Sequence, residues 1–217
     1  RQLVEEGTIF RTESKWDRKP IQEIVLPETV KSALKSRLTK LQPETLNALT
    51  MASVIGSEFD FEVLREASQL EEDNLLQTLE KAFSAGLVRQ VPRQKSAFKF
   101  TDDRIRELLL NELIPIRRAK YHLKIAEAIQ KAYSRNMEGQ AEAIANHFLE
   151  GGDTERTIKY SLIAGDRNRA IHAYEQAIAN YKRALGLVEL EGDRDYEKAA
   201  TYEKVGQCYD CAGHSQE

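Results

Sequence analysis

Apolar residues along this chain keep two different periods, and the changes between them mark its organisation. Thr8-Ile9-Phe10-Arg11 and Lys15-Trp16, placed around Thr12-Glu13-Ser14, predict a short hairpin, and residues 17–27 read as an extended linker. From Glu28 the spacing becomes helical, with Val30, Ala33, Leu34, Leu38 and Leu41 recurring after Pro27. Pro43 opens a second helix with Leu46, Leu49, Ala52 and Ser53 on one face, closed by Gly56. A third runs from Asp60 to about Ser68 on Val63, Leu64 and Ala67. The fourth starts at Glu71, Glu72 and Asp73, where carboxylates suit the positive end of the helix dipole, and its expected buried stripe is Leu75, Leu76, Leu79, Ala82 and Phe83.

After Gly86 the period falls to two, in Leu87–Val91 and again in Ala97–Thr101, which predicts a second hairpin. Helices followed by a two-stranded hairpin are the order of a winged-helix domain, assigned to residues 28–113. Past Thr101 only helical patterns remain: Asp102–Leu113, Pro115–Ser134, Gln140–Glu150, Thr154–Ala164, Arg167–Leu190 and Asp195–Gly213. Breaks are expected at Gly139, at 151–153, at Gly165-Asp166 and at 191–193, so short turns would pair the helices of residues 114–217 into an α-solenoid. The fold class is therefore mainly α. Ala177-x3-Tyr181-x2-Ala184 has the spacing of the second helix of a tetratricopeptide repeat, and Gly206-x2-Tyr209 that of a first helix. Counting back from Gly206, the equivalent glycine is Gly165, 41 residues earlier where about 34 are expected, which puts an insertion around Glu189–Tyr196.

Charge narrows the functional classes. The 32 Lys and Arg against 35 Asp and Glu leave a net charge of −3, so no global positive field draws in nucleic acid or a membrane surface. No run reaches the roughly 18–20 apolar residues of a membrane span, residues 1–7 lack the apolar core of a signal peptide, and two Cys build no disulfide framework; the expected location is the cytoplasm. Residues 1–6 read as the end of a helix stopped at Gly7, and the helix from Tyr202 has no successor to cover its apolar face, so the polypeptide is expected to continue both ways.

Candidate chemistry is sparse. Without a Gly-x4-Gly-Lys-Ser/Thr run the chain has no cradle for ATP phosphates, and no Gly-x-Ser-x-Gly elbow occurs; the chain is read as no enzyme. Cys208-x2-Cys211-x2-His214 falls short of a zinc ligand set, since His122, His147 and His172 sit singly on different helices, and buried small residues are the preferred reading. In the winged-helix reading the recognition helix is 71–84, which sets Lys81 against Glu71, Glu72, Asp73 and Glu80, the wrong balance for a major groove. Between Arg89 and Lys124 ten Lys and Arg face four acids, a local basic excess.

In order along the chain, Leu3-Val4-Glu5-Glu6-Gly7, Leu26-Pro27-x-Thr29-Val30, Arg37-Leu38-x2-Leu41, Ala52-Ser53-Val54-Ile55-Gly56-x2-Phe59, Ala85-Gly86-Leu87-Val88 and Phe98-x-Phe100-x2-Asp103-Arg104-Ile105-Arg106-Glu107 resemble one family. It is the region downstream of the nucleotide-binding module in signal-transduction ATPases with numerous domains, the STAND class. The resemblance implies that residues 1–27 are the tail of an upstream AAA+-like core, which would bind ATP or ADP, while this chain itself holds no cofactor or metal. It also implies that the winged helix holds the resting state and that the repeats sense a protein or small-molecule inducer. Arg104, Arg106, Arg117, Arg118 and Lys120 are the candidate contacts to the core or a partner, and Gly165, Ala177, Tyr181, Ala184, Gly206 and Tyr209 the repeat-packing set. The family commonly has His where Asp102 stands; a carboxylate there repels phosphate, and Asp102 is read as a helix cap. A DNA-binding winged-helix transcription factor is the alternative, disfavoured by the acidic 71–84 helix.

Overall fold

A computed structural model describes residues 9–12, 15–18, 34–92, 94, 96–191 and 195–212. The chain forms two compact units, residues 1–41 and 42–217. In the first, β1 (Ile9–Thr12) and β2 (Lys15–Arg18) pair antiparallel with Thr12 opposite Lys15, as the hairpin pattern predicts. Residues 34–38 are helical; the linker and the start of the helix expected from Glu28 lie outside the described residues.

The second unit opens with α1 (Pro43–Ile55), whose first turn holds Pro43, where a missing N–H costs nothing because it would lack an intrahelical partner anyway. Ala48, Leu49, Met51, Ala52, Ser53 and Val54 are all buried, so α1 is covered on most sides rather than on one face. Next comes β3 (Glu58–Asp60), a strand the pattern did not predict because three residues are too few to display a period. Asp60 then caps α2 (Phe61–Ser68), its carboxylate accepting from the N–H of Glu62 at 2.8 Å and of Val63 at 3.3 Å. Asp60→Ala is expected to cost about 1 kcal/mol, read as a lower urea midpoint with an unchanged slope.

α3 (Glu72–Ser84) buries Leu75, Thr78, Leu79 and Ala82. The expected stripe needs correction: Leu76 is 41% and Phe83 58% exposed, because the core contacts α3 along one narrow edge and these two residues, seven apart, line up beside it. Gly86, at φ +68°, adopts the left-handed conformation that lets the Leu87 N–H reach the Ala82 carbonyl at 3.0 Å. The chain thereby turns into β4 (Val88–Gln90) and β5 (Ala97–Phe100). The three strands form an antiparallel sheet in the order β3-β5-β4, with Phe59 opposite Phe98 and Val88 opposite Phe100. Fully buried Leu49, Phe59, Leu64, Leu75, Leu87 and Ile105 make the core beneath it. α4 (Asp103–Asn111) is capped by Asp102, which accepts from the Arg104 N–H at 3.0 Å.

The rest is helical: α5 (Pro115–Ala132), α6 (Ala141–Gly151), α7 (Thr154–Ala170), α8 (Tyr174–Glu191) and α9 (Asp195–Cys211), each packed on the next. Arg156 ties three of them together. Its guanidinium pairs with Asp153 at 2.6 Å and with Glu127 of α5 at 3.0 Å, and lies 4.2 Å from the ring centre of Phe148 on α6. The break expected at Gly165-Asp166 is absent. α7 runs unbroken through both, and the turn falls at residues 171–173, where His172 takes φ +61° and the Ala173 N–H bonds the Asn168 carbonyl at 2.8 Å. The fold is mainly α.

Candidate functional site

The candidate contacts cluster around the start of α5. Its N-terminus leaves Ile114 61% and Ile116 65% exposed, directly beside Arg117, Arg118 and Lys120. Among the described residues none of these three cations is in an ion pair, so the patch combines free guanidinium groups with two apolar anchors. Arg104 and Arg106 are placed differently. Arg104 leans on Asp102 at 3.6 Å, and half-buried Arg106 donates from Nε to the Ser53 carbonyl at 2.9 Å, which commits it to holding α4 on α1. Of the ten cations of the basic stretch, Arg93 and Lys95 lie outside the described residues.

One turn further along the same helix, His122 meets His147 of α6. Their Nδ1 atoms are 2.9 Å apart, so one ring must donate a proton to the other. The sequence pattern had placed these histidines singly; the α5–α6 packing brings them together. His122 Nε2 is buried with no hydrogen-bond partner among the described residues, which favours a bare Nε2 there and hence His122 as donor through Nδ1–H, leaving Nε2–H on His147. Burial holds both imidazoles neutral. It lowers His147 to about 4, with nearby His122 adding to the effect, and it also lowers His122, against a pull from Glu150 and with help from Arg118.

The repeat-motif residues lie in the α7–α9 layer. Ala177, Tyr181 and Ala184 are buried on α8, and Tyr209 on α9 packs against the cluster that holds Ala177 and Tyr181. A Cβ at Gly165 would stand 2.4 Å from Tyr181 Cε1, so the glycine is what admits the ring. The Tyr181 hydroxyl donates to Asp166 at 2.8 Å, and Lys204 of α9 donates to the same carboxylate at 2.7 and 2.9 Å. Burial first, then this hydrogen bond, push the Tyr181 hydroxyl well above its ordinary pKa. At Gly206 a Cβ would meet nothing within 4 Å among the described residues.

Cys208 is fully buried and Cys211 exposed, burial raising the Cys208 thiol; His214 lies outside the described residues. Among the described residues no three His, Cys, Asp or Glu come together as a metal site, and no helix is long and apolar enough to cross a membrane. Compared with family models, curated proteins and solved structures, the chain finds no match in any of the three.

Proposed function

We propose that this chain is a regulatory, protein-docking segment of a multidomain STAND-type signalling ATPase or transcriptional regulator. In this reading a winged-helix domain is followed by tetratricopeptide-like helix pairs. The carrying observation is the patch at the start of α5, where Ile114 and Ile116 stand exposed beside Arg117, Arg118 and Lys120, none of which is in an ion pair among the described residues. Exposed aliphatic anchors ringed by arginine are the composition of a protein contact rather than of a reaction centre. The succession of α1, α2 and α3 with a three-stranded sheet ordered β3-β5-β4 supports the winged-helix reading. The close approach of Gly165 to Tyr181, with Ala177 and Ala184 buried beside it, supports the tetratricopeptide-like one.

α3 stands where such a domain would read DNA, but its open face carries Leu76, Phe83 and Glu80, a surface that suits an apolar partner and repels phosphate. The partner of the α5 patch is then the ATPase core of the same polypeptide, which would hold ATP or ADP, and the helix pairs are the surface for an inducer. In the full-length protein, Arg117→Glu with Arg118→Glu is expected to shift nucleotide affinity and basal activity by at least about tenfold, since reversing charges at a docked patch replaces attraction by repulsion. Unchanged nucleotide affinity and activity in that double variant would remove the basis for the docking surface.

A further inference from the structure

A cleft of about 440 Å³ lies between α1, the end of α2 and α5, lined by Glu44, Asn47, Met51, Ser68, Arg117, Tyr121 and Lys124 among others. Its volume is within the range of small-molecule sites. Arg117, Tyr121 and Lys124 are spaced i, i+4 and i+7, so one stripe of α5 presents two cations on either side of a phenol. On the opposite wall Glu44 and Asn47, three apart on α1, present a carboxylate and an amide. Buried Met51 and Ala48, with half-buried Leu70, give an apolar floor. Among the described residues neither Arg117 nor Lys124 has an ion pair, and Glu44, which lines the same cleft, approaches neither within salt-bridge distance.

The two walls call for different groups. Two unpaired cations on one wall match a dianion, and a guanidinium beside an ammonium is a pairing that takes phosphate oxygens, the first in bidentate fashion and the second as a point charge. The carboxylate on the other wall would repel that anion, but it accepts hydrogen bonds from neutral hydroxyls, with Asn47 and Ser68 adding further donors and acceptors. We propose that this cleft binds a phosphate monoester carrying neighbouring hydroxyl groups, a sugar phosphate or a nucleoside monophosphate. The phosphate lies on Arg117 and Lys124, the hydroxyls face Glu44, and the body of the ligand rests on Met51 and Tyr121. Arg117 belongs both to this cleft and to the α5 patch, whereas Lys124 and Glu44 belong to the cleft and not to the patch, so variants at those two test the cleft separately from docking.

Calorimetric titration of this chain with ribose 5-phosphate, AMP and inorganic phosphate tests it. Saturable binding of at least one ester is expected, at least about tenfold tighter than inorganic phosphate, because only the ester reaches Glu44. AMP binding well above ribose 5-phosphate identifies a nucleotide, and equal binding a sugar phosphate. Lys124→Glu should weaken the ester at least about tenfold, and the milder Lys124→Gln should do so in part with the thermal midpoint unchanged, which separates lost binding from lost folding. Glu44→Gln should narrow the gap between ester and inorganic phosphate. No saturable binding of either ester at millimolar concentration overturns the proposal, as does inorganic phosphate binding as tightly as the esters or an affinity indifferent to Lys124→Glu.

Discussion

Replacing Gly165 by leucine is expected to destabilise the chain by on the order of 3 kcal/mol, and replacing it by alanine by about 1 to 2 kcal/mol. In an open helix Gly→Ala gains up to about 1 kcal/mol, so a loss means that packing outweighs propensity. The geometry explains why it does. The new Cβ would stand 2.4 Å from Cε1 and 2.6 Å from Cδ1 of Tyr181, a ring with no exposed surface whose hydroxyl is fixed on Asp166. Because the ring cannot swing away, α7 and α8 must separate. Gly206 supplies the opposite sign: also within a helix, but with nothing among the described residues within 4 Å of its Cβ, its alanine variant is expected to gain up to about 1 kcal/mol. Urea unfolding of both variants checks the pair. Adding Tyr181→Leu to Gly165→Ala should recover part of the loss, the coupling expected of residues in contact; additive losses would mean that Gly165 acts for some other reason.

The second large effect is on pH dependence. His147 has a folded pKa lowered to about 4 against an ordinary 6.5, so between those values the unfolded chain binds more protons than the folded one. Stability contributed by keeping this ring neutral is complete above about pH 6.5 and is lost as the pH falls toward 4. Between pH 7 and pH 5 the expected loss is about 1 to 2 kcal/mol. The pair takes a first proton while keeping its Nδ1–H···Nδ1 bond, but a second sets two donors face to face at 2.9 Å, with Arg118 opposing charge at His122 and Glu150 favouring it. His147→Phe should flatten the stability profile over that window, measured as the denaturant midpoint at each pH. An undiminished slope in the variant would assign the acid sensitivity to carboxylates instead.

Where chain-local signals govern, the sequence is a good guide to this fold. Pro43 at a helix start, Asp102 as a cap and Gly86 as a stop all rest on the chemistry of one residue and its neighbours, and each is found where the pattern places it, while Asp60, read as the first residue of its helix, is the cap one position before it. The misreadings arise where a distant part of the chain decides. Gly165, read both as a helix break and as a repeat-packing glycine, lies against Tyr181 but breaks no helix, and the real stop is His172 in the left-handed conformation that glycine more often fills. Leu76 and Phe83 follow the helical period, yet the core reaches only the neighbouring edge of α3. In the candidate sites, the cations on α5 are visible as a basic stretch, but the His122–His147 contact depends on how α5 and α6 pack. The cleft facing Glu44 depends likewise on α1 lying against α5, and no spacing within either helix reveals it.

Whether the chain acts as a docking and regulatory segment of a larger ATPase regulator is tested most directly by the mass of the native polypeptide. An antibody raised against this chain, used to blot an extract of the source cells, is expected to mark a band several times larger than 24.7 kDa. A single band near 24.7 kDa would contradict the account, because the α5 patch would then have no core in the same polypeptide to dock on.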